Sequence, residues 1–273
     1  MKWVVPGSFI AVAFEVFAAG SPASGGAVCD DAGMNMWFPT GSPAREGNFF
    51  SGPSFAKHYV SADRYWDTRY EYGDAARGLA ATSGSGSRGK NALWKATIVN
   101  AFVKRNKIPS VLDIRCGDGH QLNYAEYEMY TGIDRSVVAI KHLSSRWGSD
   151  WTKRFLWYNG SRAFFHRPPT ADAALSLEVI FHITEDDLFE EYMHMLFDSA
   201  KRFVVIMTYN PSMKEDCSTQ GFCFSDQPHI RFWPVTKWVE ENKPGWKLAS
   251  SLQHKYPTTC FSDFFFFQNC NTS

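Results

Sequence analysis

The chain has 273 residues, of which 44% are hydrophobic, 16% aromatic and 21% charged, a composition typical of a globular protein with a sizeable core. Lysine and arginine total 28, as do aspartate and glutamate, so the formal net charge is zero. This balance excludes a partner that would be held by a general basic excess, such as nucleic acid or an acidic membrane surface.

The N-terminal segment predicts a targeting sequence or a leader. Lys2 precedes an apolar run that contains Pro6 and Glu15, and small residues follow it, as in a signal peptide. The run is short for a membrane span, and Glu15 would be costly at mid-bilayer. Residues 1–25 are therefore predicted to be a signal or anchor, or alternatively a disordered leader. Residues 26–60, rich in Gly, Ser and Pro, are predicted to be a linker.

The next segments change in character. The stretch DRYWDTRYEYG at 63–73 is rich in aromatic and arginine residues, and a glycine- and serine-rich loop follows at 83–89. Apolar residues at helical spacing over 91–106 predict an amphipathic helix.

From residue 110 onward, predicted strands and helices alternate. The short Val-, Ile- and Leu-rich strands are typical of a parallel sheet covered on both faces. We predict an α/β fold in a domain spanning 61–270. It is a Rossmann-like, mostly parallel seven-stranded sheet with helices on both faces and an antiparallel C-terminal strand. The predicted strands lie at 111–116, 131–134, 154–159, 172–180, 203–210, 246–252 and 261–268, and the helices at 136–147, 184–202 and 237–243, the first two capped by Ser136 and Thr184.

Acidic residues stand near the ends of three strands, where open parallel sheets bind ligands. Asp113 lies in the first strand, shortly before Gly117 and Gly119, which would let a ligand approach the backbone. Asp134 ends the second strand and is placed to accept hydrogen bonds from ribose hydroxyls. A third group lies near the end of the fourth strand: Ser176, Glu178 and His182.

The segments LDIRCGDG, TGID and DAALSLEVIFHI together resemble motifs of the class I S-adenosylmethionine-dependent methyltransferases. The first motif of that family is an acid followed by G-x-G-x-G, and Arg115 replaces its first glycine here. The resemblance covers about residues 60–268 and is closest to an uncharacterised methyltransferase-domain branch with YW-x-x-RY and EVI-x-H segments. It implies an enzyme of class EC 2.1.1.- that uses S-adenosyl-L-methionine to methylate a small molecule at oxygen or nitrogen.

The resemblance also implies individual roles. Gly117 and Gly119 would line the amino-acid part of the cofactor, and Asp134 would bind its ribose. Glu178 and His182 would lie near the transferred methyl group as catalytic residues, His182 as the base. The segment at 64–72 and the loop at 83–89 would form a lid. The remaining predicted cofactor contacts are Asp113, Arg115, Gln121, Tyr158, Ser176 and Glu178, and the predicted substrate contacts are Tyr65, Arg69, His229 and Arg231.

Each role has a structural alternative. Asp134 could cap a helix, His182 could be a packed core histidine, and His229 with Arg231 could form a surface pair. For the whole protein, one alternative is a non-catalytic methyltransferase-like protein in which Arg115 impairs cofactor binding. Another is an NAD-dependent oxidoreductase, against which the spacing of the first loop argues.

The cysteines and sequons bear on metal binding and location. Six cysteines include no CxxC pair and no zinc-ligand spacing, so no metal site is predicted, and free thiols are expected, with a Cys217–Cys223 disulfide as the alternative. The cofactor is made in the cytosol, so the protein is expected in the cytoplasm, or else tethered to a membrane or in an organelle of the secretory pathway. Asn159 and Asn271 begin glycosylation sequons, but a glycan on Asn159 would interfere in a predicted cofactor-side loop, which favours a non-secretory route. The sequence makes no prediction of oligomeric state.

Overall fold

A computed structural model describes residues 62–72, 83–211, 230–256 and 262–271, with backbone only for 62–65, Ser85 and Arg162. The predictions for residues 1–25 and 26–60, for the Cys217–Cys223 disulfide and for His229 lie outside these residues. So does the prediction for the side chain of Tyr65.

Helices and strands alternate along the described residues, as the sequence predicts. The helices are α1 (Ala62–Tyr72), α2 (Gly89–Arg105), α3 (Val137–Trp147), α4 (Asp186–Asp198) and α5 (Val235–Asn242). The strands are β1 (Ser110–Ile114), β2 (Met129–Asp134), β3 (Lys153–Trp157), β4 (Ala171–Leu177), β5 (Ala200–Thr208), β6 (Trp246–Leu252) and β7 (Asp263–Asn269).

The strands form one seven-stranded sheet in the order β3-β2-β1-β4-β5-β7-β6. Neighbours among β1 to β5 are parallel, and β7 is antiparallel to both β5 and β6. The predicted mostly parallel sheet with an antiparallel C-terminal strand is confirmed. The strand order reverses between β1 and β4, and such a switch point is where open α/β sheets bind ligands.

Apolar layers cover both faces of the sheet. On one face, α4 and α5 contribute Phe189 and Trp238 to a cluster that also contains Phe265 and Phe267. On the other, Phe102 of α2 packs in a cluster with Phe264 and Phe266. Because side chains alternate along a strand, the four consecutive phenylalanines of β7 fill both layers.

Most element boundaries differ from the prediction by a few residues, and those of β4 and α4 have a clear physical reason. Strand β4 ends at Leu177 instead of residue 180, because Glu178 turns the chain with a positive φ of 62°. Helix α4 ends at Asp198, because Ala200 already begins β5. Its N-cap residue is Glu185, so the Thr184 cap is wrong, whereas Ser136 caps α3 by accepting a hydrogen bond from the amide of Ala139.

The described ranges contain no helix that is long and apolar enough to cross a membrane. They also contain no group of three or more His, Cys, Asp or Glu side chains placed to hold a metal ion. Cys116 is a free thiol, but Cys270 is disulfide-bonded, so the expectation of free thiols is wrong there. The partner cysteine lies outside the described residues.

Candidate functional site

A cavity of about 260 Å³ lies at the carboxyl ends of β2, β1 and β4. Three acids from these neighbouring strands line it: Asp134 at the end of β2, Asp113 in β1 and Glu178 just after β4. Parallel strands place their carboxyl ends at one edge of the sheet, so residues far apart in sequence meet here. The cavity therefore occupies the switch point of the fold.

Asp134 organises the loop after β1. Its carboxylate accepts hydrogen bonds from the amides of Gly117 and Ser136, both at 2.8 Å. Burial raises the pKa of Asp134 above the usual aspartate value, although these two amides and the charge of Arg115 act in the opposite direction. A carboxylate has about four acceptor positions, so Asp134 retains acceptor capacity toward the cavity.

The two glycines of this loop have different roles. Gly117 has a φ of +63°, and a Cβ there would lie 2.8 Å from both the Tyr70 hydroxyl and Ser83 Oγ in the cavity wall. Gly119 has a φ of +68°, and its Cβ would collide with Leu143 of α3. Gly117 thus allows Tyr70 and Ser83 to lie close to the backbone at the cavity, whereas Gly119 allows α3 to pack closely.

Arg115 adopts the backbone conformation that the motif glycine would have. Its φ is 62°, and its amide donates to the carbonyl of Ile133 at 2.7 Å. The guanidinium lies 5.7 Å from the centre of the Tyr192 ring and is hydrogen-bonded to Tyr158. The side chain is thus packed on two buried tyrosines, and the turn is preserved.

Asp113 is a buried acid within β1. The hydroxyl of Tyr130 donates to its Oδ2 at 3.0 Å. Burial raises the pKa of Asp113 to about 6, while the Tyr130 hydrogen bond and the charge of Lys95 act to lower it. Asp113 can therefore change its protonation state near neutral pH.

Lys95 is a site residue that the sequence reasoning missed. Its side chain is 1% exposed, and its Nζ lies 2.6 Å from Oε2 of Glu178. It interrupts the buried apolar stripe of α2, between Ala92, Ala96 and Val99. A lysine at such a position is costly to bury unless it is paired, and this is the signal that could have identified it.

The loop at 83–89 is attached to the β1 loop through Asp118, a second residue that was missed. Asp118 Oδ2 accepts from the amide of Ser83 at 2.9 Å and from Arg88 at 2.5 Å. Burial acts to raise the pKa of Asp118, but hydrogen bonds from the amides of His120 and Ser83 and the charge of Arg88 outweigh it and lower the pKa. Asp118 is therefore ionised at neutral pH.

Helix α1 forms part of the cavity wall. The Tyr70 hydroxyl and Ser83 Oγ are 3.2 Å apart and join this helix to the loop at 83–89. The rings of Trp66 and His182 meet edge to face, with centroids 4.8 Å apart. Arg69 lies 5.0 Å from the centre of the Trp66 ring.

The cavity brings together eight of the predicted site residues, and four others lie outside it. Ser176 accepts a hydrogen bond from the buried Tyr192, and Arg231 binds Thr184 and Asp186 and stacks on Trp233. The eight in the cavity are Arg69, Asp113, Arg115, Gly117, Gln121, Asp134, Glu178 and His182; the four outside are Gly119, Tyr158, Ser176 and Arg231.

No protein-family model matches the sequence, and no curated protein matches it. Solved structures do match. A 1,6-didemethyltoxoflavin-N1-methyltransferase of Burkholderia thailandensis, bound to S-adenosylhomocysteine, is 15% identical with a TM-score of 0.55, over 80% of this chain and 93% of that one.

Two further structures show the same architecture. The N-methyltransferase NodS of Bradyrhizobium japonicum WM9, also bound to S-adenosylhomocysteine, has a TM-score of 0.55 at 10% identity, over 77% of this chain and 99% of that one. The [4+2]-cyclase SpnF has a TM-score of 0.50 at 12% identity, over 77% of this chain and 97% of that one. At sequence identities of 10%, 12% and 15%, these similarities show a shared fold and nothing more.

Proposed function

The chain has the class I methyltransferase fold, and on that premise we propose that it transfers the methyl group of S-adenosyl-L-methionine to a small-molecule acceptor. The observation that carries the proposal is the meeting of Asp134, Asp113 and Glu178 beside Gly117 in one cavity at the switch point. The fold alone would not suffice, because one fold hosts many activities.

The cavity residues fit this cofactor. Asp134 has acceptor positions left for ribose hydroxyls, and Gly117 lines the cavity without a side chain. The side-chain oxygen of Gln121 is buried at the cavity without a hydrogen-bond partner among the described residues, while its amide donates to the carbonyl of Ala92. An unpaired buried acceptor is costly, so it suits a ligand that supplies a donor.

The cofactor, when bound, supplies an electrophilic methyl group on a cationic sulfur. His182, at the cavity wall, takes the proton from the hydroxyl or amine acceptor. Trp66 and Arg69 contact the acceptor and hold it in line, and α1 excludes water. Glu178 is paired with Lys95, so we assign it to binding and not to proton transfer.

Arg115 bears on the alternative of a non-catalytic relative. A side chain that blocked the cofactor loop would favour that alternative. Arg115 lines the cavity, but it keeps the glycine conformation and lies against Tyr192 and Tyr158. Other chemistry on this fold stays the second candidate, because SpnF is a [4+2]-cyclase.

Isothermal titration with S-adenosylmethionine and S-adenosylhomocysteine tests the proposal. We expect binding, and Asp134→Ala to weaken it by about 1–3 kcal/mol through lost hydrogen bonds to a charged group. Absence of binding at about 1 mM ligand would reject cofactor use. Unchanged affinity in Asp134→Ala would reject the placement of the ribose.

For location, we propose the secretory-pathway alternative over the cytoplasmic one. The supporting observation is the disulfide at Cys270, because disulfides persist in oxidising compartments. Alkylation of free thiols in intact cells, followed by mass spectrometry, tests this. Recovery of Cys270 in its alkylated form would favour the cytoplasm.

A further inference from the structure

The buried Lys95–Glu178 ion pair is not explained by stability. A buried ion pair loses the hydration of both charges, and replacing one with apolar residues is often neutral or stabilising. Lys95 is 1% exposed and Glu178 13%, so most of that cost applies here. Helix α2 could have continued its apolar stripe at this position, which points to a functional reason for the lysine.

Glu178 is held in place by its surroundings. Its φ of 62° is unfavourable for a residue with a side chain, and its amide is fixed to the carbonyl of Met207 at 2.7 Å. Gly86 packs directly on the carboxylate, since a Cβ there would overlap its oxygens. The backbone strain and the close loop therefore aim one carboxylate at one point of the cavity.

The surroundings of the pair define the ligand that it can accept. A lone anion would leave Glu178 uncompensated, and a lone cation would do the same to Lys95. A zwitterion satisfies both at once, with its carboxylate on Lys95 and its ammonium group on Glu178, and adds no net charge. The free side-chain oxygen of Gln121 is a further acceptor for an ammonium proton, and Gln121 is attached to Ala92, one turn before Lys95.

We propose that Lys95 and Glu178 separate on ligand binding to hold an α-amino-acid zwitterion, and that this zwitterion is the methionine end of the cofactor. The inference rests on the proposed function. Its location supports the cofactor as the source: the pair lies beside Asp113 and β4, on the other side of Gly117 from Asp134. With the ribose at Asp134, the amino-acid end of the same molecule extends toward the pair.

Three ligands that share the nucleoside test this inference by isothermal titration. They are S-adenosylhomocysteine, its decarboxylated analogue, and 5′-methylthioadenosine, which lacks the amino-acid group. We expect the wild type to prefer S-adenosylhomocysteine over the decarboxylated analogue by about 10- to 100-fold, as for a charge-assisted hydrogen bond. Lys95→Met should reduce this preference to about threefold or less and leave the affinity for 5′-methylthioadenosine unchanged. Lys95→Arg should retain most of it.

Lys104→Met is the matched control, because Lys104 is an exposed lysine of the same helix. It should change none of the three affinities. Retained affinity for 5′-methylthioadenosine also shows that a variant is folded. The double variant Lys95→Met/Glu178→Gln removes both charges of the pair and therefore leaves no unpaired charge buried.

The outcomes separate the inference from the proposed function. If the wild type binds none of the three ligands, the proposed function fails and the inference fails with it. If the wild type shows the preference and Lys95→Met keeps it, only the inference is overturned. Loss of all three ligands in both Lys95 variants would assign Lys95 a purely structural role and overturn it too. Free methionine binding as tightly as S-adenosylhomocysteine would overturn the cofactor as the source in favour of an amino-acid acceptor.

Discussion

Arg115 separates two properties of glycine that the sequence motif combines. Glycine permits a positive φ, and it leaves room above the backbone. Here the φ of 62° is kept by an arginine, and the side chain is accommodated on Tyr192 and Tyr158. The departure from the motif therefore changes the buried layer beside the turn and leaves the turn itself in place.

A pair of substitutions measures the backbone contribution at this position. Arg115→Gly and Arg115→Ala lose the same side-chain contacts, but alanine must still adopt the left-handed conformation. We expect the glycine variant to unfold with a free energy about 1 kcal/mol higher than that of the alanine variant. Urea denaturation provides the comparison, and equal stabilities would mean that the loop relaxes when the arginine is removed.

Asp113 makes stability depend on pH. Burial raises its pKa from 3.8 to about 6, so the folded state binds a proton more tightly than the unfolded chain. The resulting stabilisation is fully present below pH 3.8 and is lost as the pH rises through about 6. At about pH 7.5, Asp113→Asn should therefore stabilise the fold by about 1–3 kcal/mol.

That gain should vanish as the pH is lowered toward 4, where both proteins carry a neutral side chain at this position. Urea denaturation across this range is the measurement. A gain of equal size at every pH would show that packing, and not ionisation of Asp113, controls the effect.

His182 carries the proposed proton transfer. His182→Ala should lower turnover by about 10²- to 10⁴-fold, the usual contribution of a general base, with a much smaller change in cofactor affinity. Radiolabelled methyl transfer and isothermal titration give the two quantities. His142→Ala, at an exposed histidine of α3, is the control. Turnover that matches the control would leave His182 as a packing residue.

At the scale of elements, the packing of the β1 loop on α3 depends on Gly119. Gly119→Ala adds both a strained φ and a collision with the fully buried Leu143. We expect a loss of about 2–4 kcal/mol in the free energy of unfolding. Gly89→Ala measures the cost of the strained φ alone, because Gly89 has a φ of 53° and no atom lies near its Cβ position. Equal losses in the two variants would mean that α3 moves aside at little cost.

Elements with a strong local pattern were predicted well. The parallel strands follow from short Val- and Ile-rich runs, and Ser136 from a local capping pattern. The end of β4 could not be predicted, because the strained φ of Glu178 depends on contacts with Met207 and Gly86 from distant segments. The Thr184 cap was wrong for a local reason, since its hydroxyl donates to the neighbouring Glu185 side chain.

The residues of the candidate site also fall into those that the sequence predicts and those that depend on distant contacts. The acids of β1, β2 and β4 could be predicted because the topology alone brings the strand ends together. Lys95 offered a signal, a lysine within the apolar stripe of α2, but its partner Glu178 could not be predicted from that stripe. Asp118 could not be predicted, because its role depends on how the loop at 83–89 lies over the sheet. Arg231 donates hydrogen bonds to Thr184 and Asp186 outside the cavity, and its role as a substrate contact stays a prediction.

At the scale of the whole molecule, cofactor binding should appear as thermal stabilisation. S-adenosylhomocysteine at about 100 times its dissociation constant adds about 2.7 kcal/mol to the folded state, which corresponds to roughly 5–10 °C in Tm. Differential scanning fluorimetry measures the shift. NAD is the comparison ligand, and a shift with NAD but not with S-adenosylhomocysteine would favour the oxidoreductase alternative.

The position of β7 also constrains the order in which the protein can assemble during translation. Strand β6 joins the sheet only through β7, which is made after it and inserts between β5 and β6. Until β7 has left the ribosome, β5 has an open edge and both layers lack the four phenylalanines of β7. We therefore expect chaperones that bind exposed strand edges to stay on the β5 edge of the nascent chain longer than on the other strands.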